Sequence, residues 1–122
     1  MVSPAPPMCD TVVFTIPSGS ALSGIVNVGN RVPVSLFVPS AWTAADITMQ
    51  TSLDGGATWF GVYTAAGDEL TIPGVVGGCV AVPFIETLGV GTVLRLRSGS
   101  AAAPVNQGAE RVVQLRAAQP DT

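Results

Sequence analysis

The residues of this chain that could do acid–base, nucleophilic or metal chemistry are few and dispersed. Its carboxylates fall at Asp10, Asp46, Asp54, Asp68, Glu69, Glu86, Glu110 and Asp121, and it has no His to serve as a base or a metal ligand near neutral pH. Glu69, Glu86 and Glu110 could in principle pair as acid and base, but nothing in their spacing joins them. They read as solubilising charges. Asp68 and Glu69 are adjacent, so on a strand they point to opposite faces. Asp54 and Asn106 could hold calcium only if folding brought them together with further oxygens, and no ligand-loop spacing is present. The sequence therefore predicts no enzyme, no metal site and no cofactor.

The two cysteines, Cys9 and Cys79, are too few for a disulfide scaffold or for a zinc site of their own. Three states stay open: two reduced small hydrophobes, a bridge within the chain, or a bridge between subunits. The intrachain bridge would close a loop of about 70 residues, worth on the order of 4 kcal/mol in the chain-entropy account.

Ser52-Leu-Asp54-Gly-Gly56-Ala-Thr58-Trp59 resembles the Asp-box of sialidases and related glycosidases, Ser-x-Asp-x-Gly-x-Thr-Trp. In those families the box is a folding element on propeller hairpins, away from the active site, and one copy in 122 residues cannot make a propeller. A sialidase also needs an arginine cluster facing a carboxylate and a Tyr nucleophile, whereas Tyr63 is the only Tyr here. The motif reads as a hairpin signal, with Asp54-Gly55-Gly56 reversing the chain between two alternating runs. A second turn at Ala66-Gly67-Asp68 predicts a three-stranded meander ending in residues 69–72.

Large contact groups remain. Trp42, Trp59 and Tyr63 are either core or a flat surface for a sugar or a protein partner; Trp59 and Tyr63 share one strand face, and Trp59 is expected to close the hairpin and pack inside. Arg95 and Arg97 alternate with Leu94 and Leu96, so leucines face in and arginines out. There the arginines either bridge to acidic groups of neighbouring subunits or line a solvated face.

What must position these groups is one β domain. The chain is 48% apolar and only 11% charged, against roughly 25% charged in typical soluble proteins, so its surface is built from Ser, Thr, Gly, Ala and Asn and is easily covered by neighbours. With no Lys and five Arg against eight acids, the net charge of −3 offers no footprint for nucleic acid. Mean hydropathy is positive. Gly, Pro or polar residues nevertheless interrupt every apolar run short of a membrane span, and residues 1–10 carry no signal-peptide pattern, which predicts synthesis in a cytoplasm and no membrane partner.

Nine strand signals recur at about ten-residue intervals: residues 11–16, 24–28, 32–38, 47–53, 57–63, 69–72, 79–82, 93–98 and 111–116. They predict an all-β fold, an antiparallel β-sandwich (jelly-roll-like) of eight or nine short strands over residues 11–117. A Pro-rich extended arm precedes it over residues 1–10, with Pro4, Pro6 and Pro7 as interface residues, and a flexible tail follows over 118–122. Pro33 marks an edge or a bulge, and residues 83–88 form the one expected helical turn. The expected core is Val12, Phe14, Ile16, Leu36, Val38, Ile47, Met49, Leu94, Leu96, Val113 and Leu115.

Taken together, Ala41-Trp-Thr-Ala-Ala-Asp-Ile-Thr48, the hairpin motif, Val62-Tyr63 and Leu94-Arg-Leu-Arg-Ser-Gly-Ser-Ala-Ala-Ala-Pro-Val-Asn-Gln107 resemble a family of small virion structural proteins of tailed bacteriophages, prophages and gene transfer agents. The likeness runs over roughly residues 16–115. It implies a head-decoration, collar or fibre-base protein made in the host bacterial cytoplasm and located on the virion. It further implies homo-oligomers in contact with capsid, portal-neck or fibre subunits, and it carries over no catalytic residue. The runner-up is a carbohydrate-binding adhesion module using Trp42, Trp59 or Tyr63 as a stacking face. A glycosidase fragment is a third class, and it would need clustered carboxylates.

Overall fold

The computed structural model describes residues 9–83 and 91–118, with the backbone alone at residue 9. Eight strands form: β1 (Cys9–Ile16), β2 (Val26–Asn27), β3 (Val32–Phe37), β4 (Ile47–Ser52), β5 (Phe60–Gly61), β6 (Cys79–Ala81), β7 (Val93–Ser98) and β8 (Arg111–Ala118). No described residue is helical. Sheet A has the order β1-β8-β3-β6 and sheet B the order β2-β7-β4-β5, with every pairing antiparallel. The pairs nest, β1 with β8, β2 with β7, β3 with β6 and β4 with β5, as if one long hairpin had been wound with its segments alternating between two sheets.

Period-2 alternation dictates which side of each sheet is buried. Val12, Phe14 and Ile16 of β1 face the interior with Leu36, Ile47, Met49, Leu94, Leu96, Val113 and Leu115, and every residue of the expected core is buried. Trp42, Val62, Leu70 and Ile72 close the ends of the same cluster. Each such side chain contributes about 1.5–3 kcal/mol through removal of apolar surface from water.

The β4–β5 hairpin is built as its residues dictate. Ser52 Oγ donates to Asp54 Oδ1 at 2.7 Å and accepts the Gly56 N–H at 2.8 Å, while Asp54 Oδ1 accepts the Thr58 N–H at 2.8 Å. Gly55 and Gly56 take φ of 76° and 112°, values a Cβ would strain. These bonds, first the Thr58 N–H and then the Ser52 hydroxyl, hold the Asp54 carboxyl well below the usual carboxylate range.

Two expectations need correction. Residues 69–72 do not make a ninth strand: they form single bridges, Tyr63↔Glu69 and Ile47↔Ile72, the latter reaching past β5 to β4. The seven-residue loop from Leu53 to Trp59 leaves β5 only two paired residues, too short to template another strand. The arm and tail boundaries also move, because β1 already begins at Cys9 opposite Ala118, which is itself the last residue of β8. Pro33 does sit at a bulge, between Pro33 and Ser35 of β3. Pro4, Pro6 and Pro7 lie outside the described residues, as do residues 84–88 of the expected helical turn and the tail beyond Ala118.

Candidate functional site

The polar groups that could contact a ligand gather on the outer face of sheet B. Register sets Thr48 opposite Arg97 and Gln50 between Arg95 and Gly61. Arg95 and Arg97 do point away from the core, as alternation requires, but they meet different fates. Arg97 is 8% exposed. Its Nε donates to Thr48 Oγ1 at 3.0 Å, and its Nη2 donates to Glu69 Oε2 at 2.7 Å. The same carboxylate accepts the Ala101 N–H at 3.1 Å. A guanidinium withdrawn this far from water needs such a partner, and Arg97 finds it within its own chain.

Arg95 stays half-buried and available. Its Nε donates to Gln50 Oε1 at 2.6 Å, and its guanidinium lies 4.2 Å from the centre of the Trp59 ring. Burial first, and the neighbouring Arg97 second, push its pKa down from the usual arginine value. Trp59 is therefore placed on the outer face over Arg95, half-buried, rather than inside the sandwich as expected. Tyr63 is more than half exposed, with its ring lying over Gly61, where an added Cβ would come within 3.1 Å of it. Trp42, by contrast, is buried at 6% exposure, and its Nε1 donates to Ala45 O at 3.0 Å. It is core, and no stacking surface.

Beside Arg95 a groove of about 400 Å³ runs between residues 19–22 and 101–106, floored by Gln50, Arg95 and Arg97. Its wall is fixed by Gln107, which is wholly buried. The Gln107 side chain accepts the Thr43 N–H at 2.8 Å and donates to Thr43 O at 3.0 Å and to Ser98 Oγ at 2.8 Å. The resembling segment from Arg97 to Gln107 thus holds loops together. Nothing in its own spacing announces that, because Gln107's partner Thr43 is 64 residues away.

The outer face of sheet A carries a patch of exposed apolar side chains next to Gln114 and Arg116 of β8. The register places Val13, Gln114, Phe37 and Cys79 in one row across all four strands, and Val13, Phe37, Val112 and Cys79 are exposed. A shallow groove of about 280 Å³ lies between Phe37, Val38, Pro39, Val112 and Gln114. Cys79 is free. Cys9 and Cys79 stand on opposite edge strands of the sheet, three interstrand spacings or about 14 Å apart before any offset along the strands, so the bridge within the chain is ruled out.

Several of the described carboxylates serve structure. Asp10 pairs with Arg31 at 2.7 Å, Glu69 with Arg97, and Asp54 with its own turn. Among the described residues no three of His, Cys, Asp and Glu come together where they could hold a metal ion. No described helix is long and apolar enough to cross a membrane. Comparison with protein-family models, curated proteins and solved structures finds no match to this chain.

Proposed function

We propose that this chain is a structural subunit of a bacteriophage or phage-like virion, decorating or stabilising the head, the neck and collar or a fibre base through contacts with copies of itself and with neighbouring virion subunits. The observation that carries the reading is the outer side of sheet A. Its exposed row of Val13, Phe37 and Cys79, with Val112 beside it, has Arg116 as its one charged neighbour on that face and adjoins an edge strand eight residues long. A surface of this kind is stable in a crowded particle and a liability on a solitary protein. The nested strand pairing is what a jelly-roll winding produces, an architecture used by capsid and lectin domains alike. Sparse charge, with Asp10 and Glu69 already paired within the chain, favours a building part over an enzyme. Mass spectrometry of purified particles tests this: the protein is expected in fixed copy number, and its absence from them overturns the reading.

A second reading, a carbohydrate-binding module on a virion or cell surface, is favoured by one feature. Trp59 and exposed Tyr63 share the outer face of sheet B with the Arg95 groove, which gives a sugar both stacking rings and hydrogen-bond donors. A glycan array decides it, with binding that disappears in Trp59→Ala supporting the module.

A further inference from the structure

We propose that β1 is the self-association edge: a second copy adds its own β1 antiparallel to the first about a two-fold axis at Thr11, so that sheet A runs unbroken through the dimer. This rests on the reading of the chain as an assembling subunit and names the surface it uses.

Each sheet ends in two edge strands. β2 and β5 have two residues each and β6 has three, whereas β1 has eight. The direction of its open backbone groups follows from one bond, because the Gly24 N–H donates to Thr15 O at 3.0 Å from the side away from β8. Residues two apart along a strand aim their N–H and C=O the same way, so Val13, Thr11 and Cys9 face that open side too. Gly24 closes the edge at Thr15. No described backbone group bonds the open side at Thr11 or Val13.

The open residues 9, 11 and 13 are symmetric about residue 11. An antiparallel partner centred there sets Thr11 opposite the second copy's Thr11 and Val13 opposite its Cys9, and each of these pairs exchanges N–H···O bonds. The strand suits itself as a partner. Its sequence, CDTVVFTI, contains neither Lys nor Pro, the residues that usually block an edge. Its one charge, Asp10, is already neutralised by Arg31. In this register Asp10 falls opposite Val12 of the second copy, so no like charges meet. The exposed Val13 and Phe37 of the two copies then lie on one continuous outer face, an isologous contact of the kind that closes a dimer.

The test uses the full chain carrying Cys9→Ser and Cys79→Ser, with either Thr11→Cys or Val13→Cys added and then oxidised. Thr11 and its symmetry mate would be about 5.5 Å apart between Cα atoms, within disulfide reach, whereas the two copies of Val13 would be four residues or about 13 Å apart along the strands. Non-reducing electrophoresis should show a covalent dimer for Thr11→Cys and monomer for Val13→Cys. Equal crosslinking of both, or of neither, overturns the proposal.

Thr11→Pro in the otherwise unaltered chain gives a second readout. Proline is tolerated where an edge N–H faces solvent, and the donor it removes is not part of the β1–β8 ladder. The melting temperature should move by no more than a few degrees while dimer dissociation rises at least about tenfold, the effect of losing two interstrand hydrogen bonds. An unchanged dissociation constant contradicts the proposal. An oligomer that passes neither test uses another surface, which sinks the β1 edge and leaves the assembling subunit standing; a monomer that is also absent from particles removes both.

Discussion

Glu69 holds Arg97 on the outer face of sheet B, the two heads 2.7 Å apart with side chains only 19% and 9% exposed. The pair ties the chain after β5 to the C-terminal end of β7, and through the Ala101 N–H it also anchors the wall of the groove. Removing one partner strands a charge that Thr48 alone cannot satisfy. Glu69→Ala should therefore cost about 2–3 kcal/mol in urea unfolding, somewhat less than a fully buried pair because Glu69 keeps some contact with water. In a cycle with Arg97→Leu the coupling should exceed about 1 kcal/mol. Additive single effects would show that the two side chains act independently.

The Asp54 carboxyl is held below its ordinary range by the Thr58 N–H and the Ser52 hydroxyl. A depressed carboxylate stabilises the fold above its unfolded value of roughly 3.9, and that contribution is lost as pH falls toward the folded value. The hairpin should thus stay closed through pH 4 and loosen below it. In a carbon-detected NMR titration, the Asp54 carboxyl should remain ionised well below the usual carboxylate range. An Asp54 midpoint near 4 would mean the turn bonds do not form in solution.

Gly74 is required where the chain passes Trp42. A Cβ there would collide with the Ala45 carbonyl, the acceptor of the Trp42 indole, and would come within 3.0 Å of Trp42 Nε1. The obstacle is backbone and cannot swing aside. Gly74→Ala should destabilise the domain by about 2 kcal/mol and raise quenching of Trp42 fluorescence. Gly24→Ala, whose Cβ meets nothing within 4 Å, is the matched control and should change little.

Arg95 and Trp59 form the accessible half of the sheet-B face. Arg95→Gln should lower stability by about 0.5–1 kcal/mol through the lost contact with the ring, and it should expose Trp59 to iodide while Trp42 stays protected. Two classes of tryptophan are expected in the unmodified protein. Uniform quenching would contradict the placement of Trp42 in the core.

Much of this fold is legible in the sequence, for reasons that also explain where legibility stops. Alternation in Val12, Phe14 and Ile16, and in Leu94 and Leu96, is a local signal of an inner face, and it identifies the core. Asp54-Gly55-Gly56 names its turn because the φ values it needs exclude most residues. Alternation gives only the side of the sheet, however, and never what covers that side. Arg97 faces outward as its parity requires, yet it is buried by Glu69, 28 residues earlier, and by the loop after β7. The same limit hid the role of Gln107 and the burial of Trp42. Strand order could not be read either, since β1 pairs with β8 and β2 with β7 across most of the chain.

The central proposal is that the protein is a repeated building part of a virion, and the most direct measurement of it is quantitative mass spectrometry of phage-like particles purified from cells that carry its gene. The account predicts this chain in a fixed, symmetry-compatible number of copies per particle, retained through gradient purification. Particles that are complete and infectious without it would contradict the account.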